Sequence, residues 1–237
     1  MSVMAEKTVR ELALENRSAP RVFEELGIDY CCGGGLSLEQ ACARAHVPLE
    51  RVANSLAAAE PAPQERDWQA EPLFELIAYI KHTHHRYTRE EIKRLGPLFD
   101  KVCTVHGANH PELLSLRETF KALAGELTMH MMKEEAVLFP YIERMEEAVI
   151  AKEPVLPPPF GAVRNPIRMM MHEHDSAGEA LRDMRATSRG YAAPPDACLS
   201  YQTLYKALAA FEADLHQHIH LENNILFPRA VAMEPGQ

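Results

Sequence analysis

The 237-residue sequence lacks several features that mark membrane, secreted or nucleic-acid-binding proteins. No apolar run approaches the roughly 18 residues that a helix needs to cross a bilayer, so a transmembrane protein is excluded. The N-terminal stretch MSVMAEKTVRELALE contains no apolar core and no cleavage signal, which predicts that the chain is not secreted by that route. Positive charge is not in excess either. The net charge of −9 argues against nucleic acid or an anionic membrane surface as the main partner.

Cysteine is sparse, whereas histidine is abundant. The five cysteines are an odd number, and Cys31 and Cys32 are adjacent, which is a poor framework for disulfides and indicates a reducing compartment. Cys42, Cys103 and Cys198 are predicted to be small buried hydrophobic residues. The 12 histidines outnumber the 8 phenylalanines and the 7 tyrosines, so their positions should carry the chemistry.

Composition divides the chain into two predicted domains and a linker. Residues 1–59 contain one histidine and are expected to form short helices, residues 60–70 form a polar, Pro-rich linker, and residues 71–237 contain the remaining histidines. This last region carries four long helical patterns, near 71–95, 111–149, 166–188 and 196–233. No convincing alternating strand pattern is present. We therefore predict an all-α protein, with a small helical N-terminal domain before an up-down-up-down four-helix bundle.

Local signals refine these boundaries. Capping boxes at Thr8 and Ser37 predict two helix starts in the N-terminal domain, and Gly27 predicts the end of a helix. Gly96-Pro97 is predicted to interrupt or end the first bundle helix, and Pro140 to kink the second.

An internal repeat occurs in the second and fourth predicted bundle helices. The segments His130–Pro140 and His218–Pro228 both have the form H-x-x-x-E-x-x-x-L-F-P. Residues four apart lie on one face of a helix, so each copy places an imidazole beside a carboxylate, Glu134 or Glu222. The Leu-Phe pair continues the same inward face, and a glutamate there must be paired, protonated or bound to a metal. The repeat indicates a two-fold-like bundle.

Histidine spacing extends this interpretation to all four helices. Successive separations of 45, 44 and 44 residues place four histidines at one level of an up-down bundle: His85, His130, His174 and His218. With Glu134 and Glu222, they predict a site for two metal ions bridged by carboxylates. Imidazole with carboxylate in a bundle core suits iron or manganese. Six protein ligands leave open positions for an oxo or hydroxo bridge and a small exogenous ligand.

Some assignments stay open at this point. On the first helix His82, His84 and His85 compete, and His84 is the alternative to His85. Glu173 and Asp175 flank His174 and are candidates to orient a ligand imidazole. Methionines cluster near the predicted site, either as adaptable core residues or as the lining of a channel for a small apolar gas: Met129, Met131, Met132, Met169, Met170 and Met171.

The motifs resemble a known family. Residues 71–233 look like a hemerythrin-like di-iron domain, and Asp29-Tyr-Cys-Cys-Gly-Gly34 looks like the ScdA-like domain that precedes it in the RIC (repair of iron centres) family of the YtfE/ScdA type. Further matching motifs are Asp67-Trp68, Glu173-His174-Asp175 and the end of the second repeat, ENNILFPR. By motif matching, the family's iron ligands fall on His85, His130, Glu134, His174, His218 and Glu222.

The resemblance implies a cytoplasmic protein with a non-haem di-iron centre, monomeric or homodimeric. It implies the repair of iron–sulfur clusters damaged by nitric oxide or peroxide, by supplying iron to the damaged proteins. Two alternatives stay open: reduction of nitric oxide to nitrous oxide at the di-iron centre, and reversible binding or sensing of O2 or nitric oxide as in hemerythrin.

Cys31 and Cys32 are predicted to carry chemistry. Three glycines follow them directly, and glycine lets the backbone approach a partner closely and leaves the thiols accessible. We interpret the pair as a mobile thiol pair near the di-iron site that handles iron, nitrosyl groups or electrons.

Overall fold

A computed structural model of the chain describes residues 2–59 and 66–234. Residues 60–65, the Pro-rich part of the predicted linker, lie outside the described residues. The chain forms two compact units. The first comprises the residues up to Pro72 and the segment His216–Arg229; the second comprises Leu73–Leu215 and the residues from Ala230 onward.

Short helices build the N-terminal part of the first unit: α1 (Ser2–Glu6), α2 (Val9–Glu15), α3 (Ala19–Leu26), α4 (Leu38–Ala45) and α5 (Leu49–Ala58). The predicted capping boxes are confirmed, because the Thr8 and Ser37 side chains accept the N–H groups of Glu11 and Gln40. Gly27 ends α3 with a φ of 68°, the left-handed conformation that glycine adopts without strain.

The apolar faces of these helices form one core. Its central side chains are fully buried: Val9, Ala19, Phe23, Leu38 and Val52. Backbone hydrogen bonds from Val9 N–H to Leu36 O (3.0 Å) and from Leu38 N–H to Lys7 O (2.9 Å) join the starts of α2 and α4. They fix the C-terminal end of the loop that contains Cys31 and Cys32.

The C-terminal region contains four long helices, and three of them are formed from consecutive elements. The first bundle helix joins α6 (Leu73–Ile80), a π-helical turn (Lys81–His85) and α7 (Arg86–His106). The second joins α8 (Glu112–Lys133), a π-helical turn (Glu134–Leu138) and α9 (Phe139–Ala151); the third is α10 (Arg164–Thr187). The fourth joins α11 (Leu199–Leu221), a π-helical turn (Glu222–Leu226) and α12 (Phe227–Ala232). The predicted all-α, up-down-up-down bundle is confirmed, and the described residues contain an isolated β-bridge but no strand.

The expectation that Gly96-Pro97 breaks the first bundle helix is wrong, because α7 continues through Pro97 to His106. Proline removes one N–H from the helical ladder, which weakens but does not abolish a helix that is held by packing. Leu95 and Phe99 are fully buried on either side of Pro97, and Val102 is 1% exposed.

Among the helices of the described segments, none is long and apolar enough to cross a membrane.

A glutamate of the second bundle helix caps the first one. Glu146 is 8% exposed, and its two carboxylate oxygens accept the N–H groups of Leu73 (2.6 Å) and Phe74 (2.9 Å). These N–H groups begin α6 and have no partner within the helix. The contact fixes the start of the first bundle helix against α9.

Two of the π-helical turns follow from the repeat. In both copies the phenylalanine N–H donates to the glutamate carbonyl five residues earlier, Phe139 to Glu134 and Phe227 to Glu222. The next residue is Pro140 or Pro228, which has no N–H and would clash with the preceding turn of a regular α-helix. Widening the turn relieves this clash. π-Helical turns are frequent at functional sites, and here each contains predicted metal ligands.

Candidate metal centre

The six side chains that the sequence analysis selected as ligands lie in two overlapping groups. The first group is His85, Glu134, His218 and Glu222; the second is His130, Glu134, His174 and Glu222. Within each group, one ligand atom from every residue lies within 4.8 Å of the others. All six residues are at most 2% exposed. Glu134 and Glu222 belong to both groups.

Helical spacing forms the pair in each copy of the repeat. His130 Nε2 lies 3.3 Å from Glu134 Oε1, and His218 Nε2 lies 2.9 Å from Glu222 Oε1. In both copies the histidine lies in the last turn of a regular α-helix and the glutamate opens the π-helical turn. The same local sequence therefore presents the same pair of ligand atoms in two helices.

Glu173 orients His130, as the sequence suggested for a neighbouring carboxylate. The His130 Nδ1–H donates to Glu173 Oε2 (2.8 Å), which leaves Nε2 directed at Glu134 and at His174 Nε2, 3.0 Å away. Lys133 also contacts Glu173. Burial raises the pKa of Glu173, but the hydrogen bonds from Lys133 and His130 outweigh it, so the net pKa is lowered and the carboxylate stays charged.

Glu135 has the corresponding role for His85, and sequence reasoning did not assign it. The His85 Nδ1–H donates to Glu135 Oε1 (2.7 Å), and Arg89 donates to the same oxygen (2.9 Å). His85 Nε2 then lies 3.4 Å from Glu134 Oε2. Burial alone would raise the pKa of Glu135, but the hydrogen bonds from His85 and Arg89 lower it by more. The net pKa of Glu135 is therefore lowered. The sequence signal for this orienting role is the acidic residue directly after Glu134.

The other candidate histidines lie elsewhere. His84 is buried, but its Nδ1 lies 3.0 Å from Asp214 Oδ1 and it belongs to neither group, whereas His82 is exposed. His172 is exposed, and so is Asp175. His216 pairs with Glu24 (2.7 Å), and His220 contacts the Asn224 amide (2.8 Å). Burial lowers the pKa of His220 to about 4.

The donor set fits a transition metal. Each group combines two imidazoles with two carboxylates, and carboxylates buried this deeply are stabilised by a bound cation. The hydrogen bonds of His85 and His130 fix both rings so that Nε2 faces the glutamates. Imidazole nitrogen with carboxylate oxygen suits iron or manganese.

A cavity of about 480 Å³ opens beside the second group. Its lining includes His130 and His174 together with Met129, Lys133 and His172. The methionines that the sequence placed near the site divide into two sets: Met131 and Met170 are buried, whereas Met129, Met132, Met169 and Met171 are exposed. Met129 alone among these methionines lines the cavity.

The two adjacent cysteines differ in their surroundings. Cys31 is buried and Cys32 is half-buried, and their sulfur atoms lie 3.8 Å apart. With Asp29 they form a third group of potential metal ligands. The hydrogen bond to Cys32 and then burial raise the pKa of Cys31 well above the usual value.

Of the remaining cysteines, Cys42 and Cys103 are buried as expected, but the expectation for Cys198 is wrong because it is exposed. Cys198 directly precedes α11. There the Tyr201 N–H, and then His106, lower its pKa to about 7. The composition around Cys198 does not reveal that a helix starts directly after it. The sequence alone therefore predicts a packing residue at this position.

Family models match both parts of the chain. The Hemerythrin HHE cation binding domain matches residues 76–230, and ScdA_N, a domain of unknown function, matches residues 5–60. The chain is 38% identical over 224 residues to the "Iron-sulfur cluster repair protein YtfE" of Cronobacter sakazakii, covering 94% of this chain and 96% of that protein. It is 36% identical over 227 residues to the protein of the same name from Edwardsiella ictaluri, covering 95% and 97%.

These matches extend over almost the whole chain. The chain therefore belongs to the YtfE family of iron–sulfur cluster repair proteins, with an ScdA-type N-terminal domain and a hemerythrin HHE cation-binding domain.

Proposed function

We propose that this protein holds two iron ions and repairs iron–sulfur clusters that nitrosative or oxidative stress has damaged, by supplying iron. The observation that carries the proposal is that Glu134 and Glu222 belong to both buried ligand groups. One ion would bind His85 and His218, the other would bind His130 and His174, and the glutamates would bridge them. The names of the curated relatives support the repair role.

The protein residues have separate parts in this proposal. Glu135 and Glu173 hold His85 and His130 with Nε2 towards the ions, and both carboxylates stay charged because cationic partners lower their pKa values. Bound iron would supply redox-active coordination positions, since six protein ligands do not fill two octahedral shells. The partners would be damaged iron–sulfur proteins of the cytoplasm.

Cys31 and Cys32 are proposed to act as the thiol pair. Cys32 is the more accessible thiol, and Cys31 donates a hydrogen bond to it. Thiolate is a good ligand for iron, and the more accessible thiol would meet a damaged cluster first. The pair would therefore begin its chemistry at Cys32.

A second candidate function is the binding or reduction of nitric oxide at the same centre. The cavity beside His130 and His174 favours it, because a diatomic ligand could reach the second group from there. Anaerobic reduced protein treated with nitric oxide and an excess of a chemical reductant, which supplies the two electrons that each pair of nitric oxide molecules takes up, would produce nitrous oxide over many turnovers if reduction is the function. A binding or sensing role would give a stable nitrosyl adduct instead.

Iron transfer tests the main proposal. Protein loaded anaerobically with ferrous iron is mixed with an apo-protein that requires an iron–sulfur cluster, together with sulfide, and cluster absorption is followed. We expect the loaded wild type to restore the cluster and the Cys31→Ala/Cys32→Ala variant to keep its iron without restoring it. Equal restoration by free ferrous iron at the same concentration would contradict the proposal.

A further inference from the structure

One carboxylate oxygen of the Cys-Cys loop, residues 29–35, accepts several of the loop's own backbone N–H groups. Asp29 Oδ1 accepts the N–H groups of Cys31 (3.2 Å), Cys32 (2.9 Å) and Gly33 (2.9 Å). This arrangement fixes the internal conformation of the loop around both thiols. The position of the loop then depends on its contacts with other segments of the first unit.

Asn224 contacts the loop and two other residues of the first unit through its side-chain amide. Its Nδ2 donates to Tyr30 O (3.0 Å) and to His220 Nδ1 (2.8 Å), while its Oδ1 accepts from Arg10 Nε (2.7 Å). A guanidinium only donates and a backbone carbonyl only accepts, so the amide has a single orientation. Asn224 is 4% exposed, and both hydrogens of its amide are used.

Two further contacts bring the loop against this amide. Asn223 Nδ2 donates to Cys31 O (3.3 Å), and the Arg10 backbone N–H donates to Gly34 O (2.9 Å). At Gly34 a Cβ would lie 3.3 Å from Asn224 Oδ1 and 3.1 Å from Tyr30 O. Only glycine fits comfortably there, so the loop backbone packs directly on Asn224.

Asn223 and Asn224 follow Glu222 directly and lie in the same π-helical turn, Glu222–Leu226. A rigid set of hydrogen bonds therefore runs from the backbone beside the thiols to the turn that carries a proposed bridging ligand. Neither asparagine belongs to a ligand group, and neither contacts iron in the proposed arrangement.

We propose that Asn224 is a positioning residue that couples the Cys31–Cys32 loop to the turn carrying Glu222. Iron bound by Glu222 fixes this turn, and through Asn224 it holds Cys31 in its buried position. Loss of iron loosens the turn and exposes the thiol. The inference rests on the proposed function, because it requires iron at Glu222.

The rate of Cys31 alkylation measures this coupling. Wild type, Asn224→Ala and Asn224→Asp are each prepared without metal and with two ferrous ions, anaerobically. Timed iodoacetamide labelling of Cys31 and Cys32 is read by peptide mass spectrometry, with iron content measured on the same samples. Asn224→Asp keeps the size of the side chain and the acceptor for Arg10, but it has no N–H to donate. Gln69→Ala is the matched control, because Gln69 also donates an amide hydrogen to a backbone carbonyl of the same unit, Leu14 O, at 3.0 Å.

In wild type we expect removal of iron to accelerate Cys31 labelling by about tenfold, as expected for a local opening that iron suppresses. In both Asn224 variants the rate should be fast with and without iron, so that the ratio approaches one, while Gln69→Ala keeps the wild-type ratio. A purely structural role would raise both rates and leave the ratio unchanged, which would overturn the proposal.

The remaining outcomes are also decisive. A wild-type ratio of one with two irons bound overturns the coupling and leaves the proposed function intact. A wild type that binds no iron at this centre overturns both. Circular dichroism verifies folding, and if Asn224→Ala loses its helical signal, Asn224→Asp decides the result.

Discussion

The two copies of the H-x-x-x-E-x-x-x-L-F-P repeat have the same backbone but different neighbours. Both carry the histidine in the last turn of a regular α-helix and widen into a π-helical turn at the glutamate. The residue after the glutamate differs: Glu135 binds His85 and Arg89, whereas Asn223 binds the backbone of Cys31. The repeat therefore sets the pair of ligand atoms, and the next residue sets what that turn is connected to.

The largest expected effect comes from breaking what the two copies share. Glu134→Leu or Glu222→Leu alone should reduce iron from about two per chain to near zero, because each glutamate belongs to both ligand groups. Anaerobic loading followed by metal analysis checks this. Retention of one iron by either variant would show that the carboxylate does not bridge.

Removal of the metal should destabilise the protein. Six buried ligands then lose their common partner, and iron at 100 times its Kd contributes about 2.7 kcal/mol to the free energy of unfolding. Thermal unfolding of wild type with and without ferrous iron should show a higher Tm with iron. Glu222→Leu should show no iron-dependent difference, and an unchanged Tm in wild type would argue against a buried centre.

A smaller effect is expected from the residues that orient the imidazoles. Glu135→Gln and Glu173→Gln should each weaken iron affinity by about tenfold, since carboxylate partners of ligand histidines contribute roughly that much. Competition with a chelator measures the affinity. Glu179→Gln, an exposed position on α10, is the control and should match wild type.

The smallest effect is expected at the matched position of the second copy. Asn223→Ala removes one hydrogen bond to Cys31 O and should cost about 1 kcal/mol of stability in denaturant unfolding. Its iron affinity should stay near that of wild type, in contrast to Glu135→Gln. Equal loss of iron affinity in both variants would remove the distinction between the two copies.

Sequence patterns predicted much of this arrangement because helices convert spacing into position. The separations between His85, His130, His174 and His218 predicted that these side chains meet, as they do in the two groups, and capping boxes predicted helix starts at Thr8 and Ser37. These signals are local or strictly periodic, so they survive without tertiary information.

The features that the sequence did not predict depend on tertiary contacts. The choice between His84 and His85 rests on which ring faces Glu135 and which faces Asp214, from other helices. The helix continues through Pro97 because Leu95 and Phe99 are packed in the core. Asn224 belongs to the ENNILFPR motif, but its contact with the Tyr30 carbonyl depends on the fold and is not visible in the sequence.

The number of iron ions bound per folded chain tests the central claim most directly. Wild-type protein titrated anaerobically with ferrous iron, desalted and analysed for metal and by Mössbauer spectroscopy should contain two iron ions per chain with non-haem nitrogen and oxygen ligands. A stoichiometry of one or zero in correctly folded protein would contradict a centre built on two shared glutamates.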